Sequence, residues 1–242
     1  QLAMASVPNV YHSDASGAAS QSLVDTWAGC AQTLRDLGEK IENLGARVAA
    51  IAVTGQGDGT WLVGAGDKPV TDAWLWLDAR AAKTVDRLRA SAADITRFAK
   101  TGTGLNTCQM GTQIAHMDQH HPEWLDAAEV SLHCKDWLYL QLTGIRASDP
   151  SETSFTFGSY TSRSYEADVI AALGLTHRAH LLPPVVDGVR QTHPLSADAA
   201  SQTGLRAGTP VSLGYVDVVC TALGAGIYTP NAPSGCTILG ST

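Results

Sequence analysis

An α/β fold is the class this sequence predicts, and three observations carry the prediction. Val48-Ala-Ala-Ile51-Ala-Val53 is an apolar run with β-branched residues at its start, middle and end, and it stops at the turn Thr54-Gly55-Gln56-Gly57-Asp58-Gly59. Trp61-Leu62-Val63 follows as a second apolar run. Longer stretches between such strands carry apolar residues every three or four positions, the helical period. A strand–turn–helix–strand unit closes the chain: Gly208–Gly214, a small-residue helix opened by Asp217, and Thr237–Gly240.

Small ligands in open α/β sheets sit at the carboxyl ends of strands. The turn after Val53 is therefore the first place to look for function, and it reads as a buried strand leading into a hairpin with Trp61–Val63. Its glycines permit positive φ and close backbone approach, and Gln56 and Asp58 can hydrogen-bond a polar ligand. The plainer alternative is a tight turn whose Asp bonds its own backbone.

Composition narrows the class. The chain has 242 residues, enough for one large or two small domains. Hydrophobic residues at 44% and charged residues at 16% describe a globular rather than a disordered protein. A net charge of −7 with no Lys/Arg-rich run argues against nucleic acid and anionic membranes as partners. No apolar run reaches membrane-spanning length, and no signal-peptide pattern opens the chain. Five scattered cysteines without Cys-x-x-Cys spacing point to reduced thiols in a cytoplasmic protein, not to a disulfide framework or a zinc site. Both ends fall in apolar runs, so a piece of a longer polypeptide is expected.

Taken in order, Gln1–Ala5 reads as the tail of a strand and Pro8–Ala19 as loop. Ser20 or Ser22 caps a helix carrying Leu23, Trp27, Ala31, Leu34 and Leu37. Gly64–Pro69 is a hairpin turn, and Ala73–Leu77 a strand. A helix with Ala81, Val85, Leu88 and Ala92 follows, headed by Asp78-Ala-Arg80. After the loop Thr101–Asn106 comes a short helix from Gly111 to His120, ended by Pro122. Glu129–Cys134 is a strand, and Lys135–Leu142 a helix closed by Thr143-Gly144. The polar segment Ser148–Ser164 lacks periodicity and reads as a surface loop with functional potential. Tyr165–Leu173 and Ser196–Thr203 are the remaining helices before Gly208.

Several separated motifs share one further property, their order. These are Thr54-Gly55-Gln56, Trp76-Leu-Asp78-Ala-Arg80, Lys135-Asp136-Trp137-Leu138 with Leu142-Thr143-Gly144, and Asp149. Gly208-Thr-Pro210-Val, Gly214-Tyr-Val-Asp217 and Leu239-Gly240-Ser241 complete the set. In this order and spacing the chain resembles the FGGY carbohydrate kinases over nearly its whole length.

The resemblance implies a ribonuclease-H-like, actin-type ATPase fold of two domains, with the sugar in the cleft between them. On that pattern residues 1–205 form the N-terminal sugar-binding domain without its first strand and phosphate hairpin, and residues 206–242 begin the ATP-binding domain. The family's second-domain Gly-x-x-Asp aspartate is its general base, and Asp217 stands there; the rival role is a helix cap. The positions after the family's Gln touch substrate hydroxyls and are Gly57 and Asp58 here, with Gly57 leaving room for a longer polyol. Gln56, Trp76, Asp78 and Cys108 complete the implied substrate set. Trp76 is open between sugar packing and core packing, and Asp78 between substrate binding and capping the helix after it, with Arg80 as an ion-pair partner. Cys108 replaces a Tyr of the glycerol-phosphorylating members, and Val218 replaces their Gln. Gly240, Ser241 and Thr242 match the turn approaching the nucleotide phosphates.

ATP is the implied cofactor, with Mg2+ held mostly by phosphates and water. The implied reaction phosphorylates a primary hydroxyl of an erythritol-like polyol, with xylulose or ribulose as alternatives. No protein metal site is expected, because His116 and His120 lie one helical turn apart without a third ligand and read as a solvated face. Lys135-Asp136 reads as a capped helix start with Trp137 buried. Sugar or polyol and ATP are the expected partners, and a homodimer is an open assembly. The rival from another class is a non-catalytic sugar-binding or regulatory protein that has kept the cleft.

Overall fold

Trp61, Leu62 and Val63 carry no polar residue among them, and all three are fully buried. A strand covered on both faces reads this way. Trp61 and Val63 enter one apolar cluster with Leu23, Trp27, Leu132, Trp137 and Leu213. Leu62 enters a second, with Trp74, Ile114, Met117, Phe157 and Leu181. Sheet between helix layers is the α/β architecture that the sequence predicts.

This is a computed structural model, and it describes residues 1–231 and 235–237. Its first elements are β1 (His12–Ser13), β2 (Ala19–Gln21), α1 (Leu23–Lys40), α2 (Leu44–Arg47), β3 (Ile51–Val53), β4 (Trp61–Gly64) and β5 (Ala73–Trp74). Then come α3 (Ala82–Arg89), α4 (Ala93–Thr101), α5 (Met110–His120), α6 (Pro122–Ala127), β6 (Ala128–Leu132) and α7 (Cys134–Thr143). The last are α8 (Pro150–Thr156), α9 (Ala167–Ala172), β7 (His193–Pro194), α10 (Ala197–Thr203), β8 (Pro210–Leu213) and α11 (Asp217–Gly224).

Strand β4 pairs antiparallel with β6, and β1, β2 and β5 form an antiparallel sheet in that order. Reciprocal backbone bonds between Thr60 and Trp74, at 2.8 and 3.0 Å, join the two. The third sheet is mixed: β8 lies between β3, parallel to it, and β7, antiparallel to it. Caps fix the helices that flank them. Ser22 accepts from Asp25 N at the head of α1, and Ser196 accepts from Ala199 N at the head of α10. Helix α7 begins with a box between His133 and Asp136 and ends at Gly144 with φ 75°. The helix start at Lys135-Asp136 and the burial of Trp137 agree with expectation.

Several local expectations are corrected. The glycine turn after Val53 is no hairpin, because β3 pairs with β8 and β4 with β6; it is a crossover between sheets. Strand β3 is buried only at Val53, with Ala52 exposed. Gln1–Ala5 has no strand, and β5 stops at Trp74, where Asp78 N bonds Leu75 O and turns the chain. Pro122 opens α6 rather than only ending α5, since Pro lacks the N–H that a first helical turn leaves unused. Residues 93–101 form a separate amphipathic helix beyond Ala92. The segment 148–164 is not all surface loop, since α8 lies within it with Glu152, Thr153 and Thr156 buried. Among the described residues no helix is long and apolar enough to cross a membrane.

Candidate active site

Parallel pairing of β3 with β8 continues past both strand ends. Gly214 N donates to Val53 O at 2.7 Å, Thr54 Oγ1 to Tyr215 O at 2.7 Å, and Asp217 N to Gly55 O at 3.0 Å. Two segments far apart in sequence thus run side by side, and Asp217 is delivered beside Gln56. A cavity of about 530 Å3 opens there, lined by Gln56, Gly57, Asp58, Trp76, Glu152 and Asp217 among others. A cleft of this size at the carboxyl end of parallel strands suits a small polar ligand.

Gly57 is required by packing. A Cβ there would overlap Val216 Cγ2, so the space beside Gly57 is filled by protein. The room expected at Gly57 for a longer polyol is therefore not made by its missing side chain. Asp58 follows with φ 58°, in the left-handed region that Asp tolerates better than most residues. Its Oδ2 accepts from Cys108 Sγ at 3.2 Å. Burial pushes the Asp58 carboxyl above its usual range, against the Cys108 hydrogen bond and nearby His133, while Asp217 adds to the rise. Burial and the Asp58 charge push the Cys108 thiol well up, which keeps it a donor. Cys108 is not among the residues lining the cavity and its thiol donates to Asp58, so it supports Asp58 in place of the expected substrate contact.

Asp217 is the first residue of α11, exposed, with Oδ1 accepting from Val218 N at 2.7 Å. Trp76 is half-buried and lines the cavity. Asp78 is not brought to the cavity. Its fully buried carboxylate accepts from Ala19 N at 2.9 Å and Arg80 N at 3.0 Å, and pairs with Arg80 Nη2 at 2.6 Å. Arg80 lies over the Trp74 ring at 3.5 Å. Asp78 thus ties β2 to the turn ahead of α3, and its substrate role is withdrawn. Gly240, Ser241 and Thr242 lie outside the described residues.

Behind the cavity is a buried ionic network. Lys135 Nζ stands 2.7 Å from Asp136 Oδ1 and 2.6 Å from Asp149 Oδ1, all three side chains being fully buried. Burial disfavours the Lys135 charge, but Asp136 and Asp149 outweigh it and raise its pKa. Burial opposes the Asp136 charge too, yet Lys135 and His133 hold that carboxyl down at about 2. Asp136 Oδ2 also takes His133 N and Nδ1 at 3.1 and 3.0 Å. Asp149 caps α8 through Ser151 N at 2.7 Å and Ser151 Oγ at 2.6 Å, and Ser151 Oγ accepts from Val216 N at 3.0 Å. The network therefore reaches the residue before Asp217.

Glu152, Thr103 and Gln109 line the cavity and were not among the expected site residues. The pattern Asp149-Pro150-Ser151-Glu152 held a signal for the first: an N-cap Asp, Pro at the first helical position and Glu at the third. Among the described residues no group of three or more His, Cys, Asp and Glu side chains is arranged to hold a metal ion.

The family is settled by comparison. The sequence profile described as "FGGY family of carbohydrate kinases, N-terminal domain" matches residues 2–224, so the chain belongs to this family. It is similar to the erythritol kinase of Brucella abortus, 61% identical over 242 residues, which cover all of this chain and 46% of that protein. With the L-xylulose/3-keto-L-gulonate kinase of Escherichia coli it shares 30% identity over 90% of this chain and 45% of the other. A xylulose kinase from Rhodospirillum rubrum superposes with a TM-score of 0.85 at 26% identity, over 93% of this chain and 46% of that one. The chain thus has the actin-type α/β fold of these kinases and spans about half the length of the curated relatives it matches. The N-terminal-domain match runs through β8 and Asp217 to residue 224.

Proposed function

We propose that this chain supplies the substrate-binding wall and the general base of an ATP-dependent kinase acting on a primary hydroxyl of an erythritol-like polyol. One observation carries the proposal: Gln56, Asp58 and Asp217, expected to share a site, line one cavity of about 530 Å3. The likeness to the Brucella abortus erythritol kinase supports the choice of polyol. We also propose that the second domain begins after α11, because β8 hydrogen-bonds to β3.

Phosphoryl transfer to an alcohol needs positioning, charge neutralisation and an acceptor for the hydroxyl proton. In this reading Asp58, an acceptor backed by Cys108, and Gln56, both donor and acceptor, hold hydroxyls of the polyol. Trp76 packs against its carbon face. The exposed Asp217 accepts the proton of the attacking hydroxyl as its oxygen bonds the γ-phosphorus and the bond from that phosphorus to the β–γ bridging oxygen breaks, with ADP as the leaving group. ATP with Mg2+ would supply the phosphoryl group; Gly240, Ser241 and Thr242 remain the proposed phosphate contacts. Such a kinase would work in the cytoplasm, consistent with five unpaired cysteines. The test is a panel of erythritol, xylitol, xylulose, ribulose and glycerol offered with ATP to the full-length gene product. Erythritol should give the highest kcat/KM; turnover of none would overturn the reading.

A further inference from the structure

The cavity wall contains a group with no assigned role. Glu152 is fully buried, and neither of its carboxylate oxygens has a hydrogen-bond partner among the described residues. The buried network gives it no hydrogen bond. His133 Nε2 stands 3.5 Å from Oε2 and also makes no hydrogen bond. Oε1 lies 3.4 Å from where a Cβ on Gly57 would stand, and Glu152 lines the cavity together with Gln56 and Asp58. A buried carboxylate without donors costs several kcal/mol, about 1–3 for each unmade hydrogen bond. Such a group persists where a ligand supplies the donors.

We propose that Glu152 is a substrate-binding residue whose oxygens accept hydrogen bonds from hydroxyls of a neutral polyol, and whose charge turns away anionic sugars. The substrate class rests on the kinase reading above. Glu152, Asp58 and Asp217 place three carboxylates on one cavity, and no Lys, Arg or His side chain of the described residues lines it. A hydroxyl donor gains from each of these acceptors. A sugar carboxylate or phosphate meets like charge with no compensating cation on this wall. The same arrangement disfavours retention of a phosphorylated product.

The other groups that face Glu152 fit this assignment. Lys135 is occupied by Asp136 and Asp149. Ser151 is held by Asp149 and Val216, and Asp58 by Cys108. These three neighbours are hydrogen-bonded or ion-paired inside the protein, whereas the Glu152 oxygens have only His133 Nε2 at 3.5 Å and no hydrogen bond.

Two measurements at about pH 8.5, where the Glu152 carboxyl is ionised, on the full-length gene product, wild type and Glu152→Gln, test the proposal. Calorimetric titration with erythritol, and separately with the four-carbon aldonate erythronate, reads binding without ATP; steady-state kinetics with ATP reads the reaction. Gln keeps the shape and removes the charge, so erythritol should bind about tenfold or more weakly, the difference between a charge-assisted and a neutral hydrogen bond. The preference for erythritol over erythronate should shrink, and KM for erythritol should rise along with the weakened binding. If Gln lowers the melting temperature, Glu152→Asp gives the same comparison: weaker erythritol binding from the shortened reach, with erythronate still refused. Equal erythritol affinity in wild type and Gln variant overturns the role of Glu152 and leaves the kinase reading standing. Binding that depends on Glu152 without phosphoryl transfer does the reverse. No polyol binding at all overturns both.

Discussion

Replacing Glu152 with glutamine has a consequence for stability that is independent of any substrate. Burial, with nearby Asp58 and Asp149, pushes the Glu152 carboxyl from its ordinary 4.5 up to about 7, although His133 and Lys135 pull the other way. A folded-state pKa above the unfolded value means that the native state holds the proton more tightly. The stabilising contribution is therefore complete below about pH 4.5 and is lost as pH rises through 7. At about 1.4 kcal/mol per pH unit, that interval corresponds to at most about 3 kcal/mol. His133 adds in the same direction. Burial lowers its pKa, but Glu152 and Asp136 raise it overall, so its contribution also fades as pH rises. Urea unfolding of wild type and Glu152→Gln at pH 5 and pH 8 measures the effect. The variant should gain on wild type by up to about 3 kcal/mol between the two pH values. A difference that is the same at both would refute the picture of a buried, unpartnered carboxyl.

Other perturbations separate structural from functional roles. Gly57→Ala forces a methyl group into Val216 and should cost about 1–3 kcal/mol of unfolding free energy; thermal melts check this, and Val216→Ala should recover most of the loss. Asp78→Ala leaves Arg80 and Ala19 N without their partner, so it should destabilise by about 3 kcal/mol while leaving KM for the polyol unchanged. A KM effect without a stability effect would return Asp78 to the substrate site. Lys135→Met strands two buried carboxylates and should cost about 3–5 kcal/mol, with the loss largest at neutral pH and reduced in acid, as urea titrations across pH would show.

Much of the site could be read from the sequence because chemistry and strand ends coincide. Val53 and Leu213 each end an apolar strand, and the turns after them carry Gln56, Asp58 and Asp217. What the sequence could not show is that the two strands are parallel neighbours, a pairing across most of the chain that no local pattern encodes. The reason for Gly57 is equally distant, since the space its side chain would need belongs to Val216. Asp78 looked able to bind substrate because its tie to Ala19 N comes from β2, far back in the chain. Glu152 was obscured for a different reason: α8 is a short Ser/Thr-rich helix with little apolar periodicity, and only its Asp-Pro start betrays it.

Asp217→Asn in the full-length gene product is the most direct test of the proposed chemistry. Asparagine preserves the shape and the hydrogen bond to Val218 N but cannot take the hydroxyl proton. Transfer of the ATP γ-phosphoryl to erythritol should fall about 10²- to 10⁴-fold, the usual worth of a positioned base. Erythritol affinity measured by calorimetry should change little. Turnover within a few-fold of wild type would contradict the assignment of Asp217 as the base.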